Sequence, residues 1–154
     1  MRQDVKAISK IRWVVLLMTL IMTLIPGWLA ASAQDVILVA NKDVQISGIG
    51  DSDLRAIFLG SKTRFADGSR AVPVTLKGGP VHEVFLKNHL GEDPQDFRAQ
   101  WRKAVFTGQG AMPKACDSEA AMIEYVSTTP GAVGYVSRIS PQDIGKVKLL
   151  IPVK

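Results

Sequence analysis

A small α/β fold, built on a mainly parallel sheet of three or four strands and flanked by helices, is predicted by three observations. Apolar runs of strand length occur at residues 36–40, 71–76, 132–136 and 147–151. Segments with helical spacing alternate with them, the order expected when helices cross back over a parallel sheet. No repeat, low-complexity tract or long linker divides the chain. With 47% apolar and 21% charged residues, the composition excludes a disordered tail or a fibrous polymer.

Each element has a local reason. The run VILVA at 36–40 is apolar throughout, the mark of a strand buried on both faces. Asp51, Ser52 and Asp53 are expected to cap a short helix with Leu54, Ile57 and Phe58 on one face, and Gly60 to stop it. Asp67-Gly68 marks a turn before the 71–76 strand. Lys77-Gly78-Gly79-Pro80 leads into a helix whose expected inner face is Val81, Val84, Phe85 and Asn88, ended by Gly91. Pro94 opens the next helix, where its missing N–H is no loss. In it Phe97, Trp101 and Val105 recur every four residues and form a heavy inner face. The stretch 107–113 is a loop, and Asp117 or Ser118 caps a helix bearing Met122, Tyr125 and Val126. Pro130-Gly131 turns the chain into the 132–136 strand. The final strand, 147–151, is expected to end at Pro152, which has no N–H to donate.

The first 33 residues read as a secretory signal. Arg2, Lys6, Lys10 and Arg12 form a basic start, residues 13–25 carry no charge, and Pro26-Gly27 breaks the helix. Ala31-Ser32-Ala33 then supplies small residues for cleavage. The uncharged core is shorter than the roughly 20 residues a span needs. The product, residues 34–154, is expected to be exported to the periplasm with no stable membrane span. Without the signal the formal charge falls from +5 to about +2. The basic balance is thus mostly a targeting effect, and nucleic-acid binding is excluded. Cys116 is the one cysteine, so no intramolecular disulfide or Cys-rich zinc site exists. It is expected to be buried and inert.

The catalytic patterns fail on spacing. His82-Glu83-Val84-Phe85-Leu86 begins like a zinc-protease motif, but Leu86 stands where the second histidine belongs. His89 lies two turns from His82, about 10 Å of rise, too far to share a metal. There is no Gly-x-Ser-x-Gly elbow, and Gly108-Gln109-Gly110 follows a helix and lacks the third glycine of a dinucleotide loop. No enzyme, metal or cofactor is expected. The candidate site is the strand-to-helix turn with Thr75, Lys77, Gly78, Gly79 and His82. Paired glycines let amides point outward at a helix start, where a small oxyanion is favoured, and Lys77 adds charge. An ordinary tight turn is the alternative for these residues taken alone.

Several strings resemble the short phosphate-binding-like proteins of the bacterial periplasm. These are Leu54-Arg55-Ala56-Ile57-Phe58-Leu59-Gly60 with Lys62, Phe65-Ala66-Asp67-Gly68, Phe106-Thr107-Gly108, and above all Pro130-Gly131-Ala132-Val133-Gly134-Tyr135-Val136. That family is similar to the substrate-binding components of phosphate ABC transporters. The resemblance implies the type 2 periplasmic binding fold, here one lobe with its hinge strand. It also implies a non-enzymatic solute-binding role, with a phosphate-type oxyanion as ligand and an ABC permease or another envelope protein as partner. The family's anion loop falls on residues 77–82. Gly79 stands where short relatives often have Ser, and His82 where they often have Arg. Losing those charge-assisted bonds, worth about 1.5–3 kcal/mol each, implies weak binding. Binding is expected to strengthen below pH ~6.5 as His82 gains a proton. The other function open to this fold is an envelope interaction module that has lost its ligand.

Overall fold

The computed structural model describes residues 36–153; the signal expected at 1–33 lies outside them. Among the described residues no helix is long and apolar enough to cross a membrane.

Six strands form one mixed sheet: β1 (Ile37–Ala40), β2 (Gly48–Gly50), β3 (Val72–Leu76), β4 (Lys114–Cys116), β5 (Ala132–Val136) and β6 (Lys148–Val153). Their order is β2-β6-β1-β5-β3-β4. The pairs β2/β6, β5/β3 and β3/β4 are parallel, and β1 runs antiparallel to both β5 and β6. The sheet is therefore mainly parallel, with one reversed strand near its middle. Two strands exceed the expected three or four, because β2 and β4 are three-residue edge strands with no apolar run to mark them.

Helices α1 (Asp51–Phe58), α2 (Pro80–Phe85), α3 (Pro94–Phe106) and α4 (Glu119–Thr128) flank the sheet. The N-cap of α1 is Gly50 rather than one of the three polar residues, and no side chain caps it; Asp51 and Asp53 sit in its first turn, where negative charge suits the helix dipole. Leu54, Ile57 and Phe58 are buried as expected. Trp101 Nε1 donates to the Phe58 carbonyl at 3.1 Å, tying α3 to the end of α1.

The inner face of α2 differs from the expected one. Beyond Phe85 the chain widens into a π-helical turn, Leu86–Leu90, before Gly91 ends it. The buried residues are His82, Phe85, Leu86 and Leu90, while Val81 and Val84 are half-buried and Asn88 is exposed. The wider turn shifts the apolar stripe off the 3.6-residue period. In α3, Phe97 and Trp101 are buried but Val105 is not, since the last turn runs past the core.

The last strand continues through Pro152. Ile151 donates to Ser47 O on the β2 side, so Pro152's missing N–H faces the other side, past the last β1 pair, Leu38 with Leu150. A missing donor costs nothing there. Asn41, buried at the end of β1, donates to Val126 O and Ser127 O at 2.8 and 3.0 Å and so fastens β1 to α4.

Candidate functional site

Strands β5, β3 and β4 are parallel neighbours, so their carboxyl ends share one edge of the sheet. A cleft of about 730 Å³ opens just beyond that edge. Each strand sends a piece of its following chain into the wall: Gly78 and Gly79 after β3, Asp117 and Ser118 after β4, Arg138 after β5. Open α/β sheets place ligands in this position, because the helices that follow present their positive ends there.

The glycine turn is open to that cleft. Gly79 has φ 98° and ψ 171°, a region that only glycine enters without strain. A Cβ on either glycine would meet nothing within 4 Å. Among the described residues, no acceptor takes the N–H of Gly78 or of Gly79. Across the cleft, Ser118 caps α4 by accepting from Ala121 N–H at 3.1 Å. Ser118→Ala is expected to cost about 1 kcal/mol of stability, read as a lower midpoint in urea unfolding.

The five candidate residues do not converge on one point. Gly78 and Gly79 line the cleft together. The Lys77 ammonium pairs with the Asp117 carboxylate, both well exposed, so the pair is weak and solvent-screened. Thr75 and His82, 4% and 3% exposed, lie in the core behind the turn. His82 Nδ1 is 2.5 Å from the Tyr135 hydroxyl, which also accepts from Leu76 N–H at 3.1 Å. Burial holds the Tyr135 hydroxyl above its ordinary value, with the Leu76 amide opposing, so it remains a donor. With Leu76 N–H already donating to the hydroxyl oxygen, His82 Nδ1 is the acceptor within reach of the hydroxyl's own proton, and assigning the bond that way puts the proton of the neutral ring on Nε2.

Burial first, then the Arg98 guanidinium, push His82 below the ordinary 6.5, with Glu83 opposing. The expected gain of His82 charge below that pH is thus moved to more acid conditions, and the Tyr135 hydroxyl stands within hydrogen-bond distance of its Nδ1. Cys116 is buried and burial raises its thiol, as an inert cysteine requires.

Three further residues carry the site. Arg138 is exposed on the cleft wall with no ion pair among the described residues. Glu119 accepts from Ser137 N–H and Oγ, which fixes the exit of β5 to the start of α4. Tyr135 anchors the turn from behind. Arg138 had a faint sequence signal, a cation two residues past a strand end. Tyr135 had none beyond its place in an apolar strand.

The fold is similar to part of the fold of substrate-binding proteins of phosphate ABC transporters, and no family model matches the chain. It is similar to an ABC-type phosphate transport receptor from Vibrio cholerae, at 16% identity and TM-score 0.51, over 75% of this chain and 44% of that one. It is also similar to a putative phosphate ABC transporter substrate-binding protein with bound phosphate from Clostridium perfringens, at 14% identity and TM-score 0.55, over 75% and 43%. A third structure, PstS from Borrelia burgdorferi, matches at 19% identity and TM-score 0.52, over 76% and 46%. The chain thus spans less than half the length of each, a share that accords with a single lobe.

Proposed function

We propose that this chain is a non-enzymatic, exported solute-binding-like protein that holds a phosphate-type oxyanion at the Gly78–Gly79 turn. The observation that carries the reading is the pair of glycine amides, without acceptors among the described residues, at the head of α2 and open to the cleft. Arg138, on the β5 side of the same cleft, supplies a full positive charge. The fold it shares with phosphate-binding proteins supports the same ligand class and a link to ABC transport, with a permease as partner.

Binding is weak in this reading. Three carboxylates, of Asp117, Glu119 and Asp143, stand in the wall beside Arg138. Glu119 is occupied by Ser137, and Asp143 by Ser140 and Lys146; the hydrogen bond from Lys146 and then that from Ser140 hold Asp143 below the usual carboxylate range. Their charge still opposes an anion. Isothermal titration calorimetry with phosphate and with sulfate at pH ~7.5 is expected to give Kd values of about 10⁻⁴–10⁻³ M. The acidic wall is also what favours the second reading, an envelope interaction module without a small ligand. Absence of heat at about 10 mM of either anion would select that module and end the oxyanion reading.

A further inference from the structure

The Tyr135 hydroxyl touches both ends of the glycine turn. On one side it accepts from the N–H of Leu76, the last residue of β3; on the other it lies 2.5 Å from His82 Nδ1 in the first turn of α2, the acceptor assigned to its proton. Between these anchors the turn has one main-chain bond at each end, and at the α2 end Gly79 O accepts from Glu83 N–H at 3.1 Å. Lys77 N–H donates to Cys116 O at 3.0 Å, and the next two amides have no acceptor among the described residues. Glycine loses more freedom on ordering than any other residue, so a Gly-Gly segment depends on what holds its ends.

We propose that Tyr135 and neutral His82 are positioning residues for the Gly78–Gly79 turn, and that a proton on His82 releases it. The proposal rests on the reading of that turn as an oxyanion site. The reason is one of donor and acceptor count. A protonated imidazole donates from both nitrogens, so Nδ1 no longer accepts and the Tyr135 proton loses its partner. An unpartnered hydroxyl in the core is costly, and the cheapest relief is for the hydroxyl, the ring or both to move. Either movement shifts an anchor of the turn.

The groups facing His82 set where this happens. They are Tyr135 from β5, Arg98 with the Phe97 ring from α3, and Glu83 from its own helix; Cys116 of β4 lies beyond Tyr135. Burial and then Arg98 oppose the proton, Glu83 favours it, and the Cys116 thiol is neutral. The ring therefore charges below 6.5, and the fold loses stability as pH falls through that window, because the unfolded chain binds the proton more readily. Anion binding should weaken at mildly acid pH, the reverse of what a surface histidine would do.

Sulfate is the probe, since it stays a dianion between about pH 5 and about pH 8 while phosphate changes charge. Its affinity and the exchange protection of the Leu76 amide are measured for the natural chain, Tyr135→Phe and His82→Gln at both ends of that range. The natural chain should bind sulfate about tenfold more weakly at the acid end, the worth of one lost hydrogen bond. Tyr135→Phe, nearly isosteric, should show that weakness at both pH values and about tenfold less Leu76 protection. His82→Gln keeps an acceptor but does not titrate, so its profile should be flat. An unchanged Leu76 protection and an unchanged sulfate profile in Tyr135→Phe overturn the proposal. If no variant binds sulfate, the oxyanion reading falls and the Leu76 protection decides alone. A fall at acid pH in the natural chain that His82→Gln abolishes then supports the clamp, and a pH-independent value overturns it.

Discussion

Gly131→Ala is expected to remove about 3 kcal/mol or more of folding stability and to lower Tm by about 10 °C or more. Gly131 has φ 73°, which costs an alanine about 1–2 kcal/mol by itself. Its Cβ would also lie far inside van der Waals contact distance of the Arg70 carbonyl oxygen. That carbonyl cannot retreat easily. Ala71 N–H donates to Thr63 O and Val72 N–H to Gly131 O, both at 2.9 Å, so the strand is held on either side of the contact. Gly134→Ala is the comparison: its φ is not positive, and its Cβ meets the buried Met122 side chain, which can deform at smaller cost than a backbone carbonyl even though its Sδ accepts from Tyr135 N–H. Thermal unfolding followed by circular dichroism reads both. Equal melting points for the two variants would mean that the Arg70 approach has slack.

Phe85→Ala is expected to cost about 3–5 kcal/mol, and Phe85→Leu less than half of that. Phe85 is fully buried, stacked on Tyr135 with ring centroids 3.8 Å apart and edge-on to Phe58 at 4.8 Å. It thus joins α1, α2 and β5 through one ring. Removing it leaves a cavity whose lining is anchored on three separate elements, so collapse is limited and the loss lies at the high end for its chemistry. Urea midpoints at constant slope measure this. An alanine variant that loses under about 1.5 kcal/mol would show that the three elements close over the gap.

Much of the scaffold was legible in local pattern. Residues 36–40, 71–76 and 132–136 became strands within a residue, and helices start beside Asp51, Pro80, Pro94 and Ser118. What failed depended on distant partners. The GIG of β2 and the KAC of β4 are strands only because β6 and β3 offer them an open edge. Pro152 is tolerated because its neighbour on the silent side has ended. The stripe on α2 was misread because a π-turn is invisible to a 3.6-residue count.

The site divides in the same way. Paired glycines before a helix announce an open turn wherever they fall, and Gly78 and Gly79 are where that signal placed them. His82 carries no mark of burial, since its partner Tyr135 lies in a strand more than fifty positions further on. Arg138 joins the wall only once β3, β4 and β5 have been laid side by side.

The sheet order also governs when the molecule can finish assembling. Among the described elements β6, the last in chain order, sits between β1, the first, and β2, which has no other strand to lean on. A growing chain can pair β5, β3 and β4 before β6 exists, but the opposite side of the sheet waits for β6. Closing so long a loop exacts its entropy before any contact is returned. The side that waits is the one away from the glycine turn, so the corner beyond β3, β4 and β5 belongs to the half of the sheet that is able to form first.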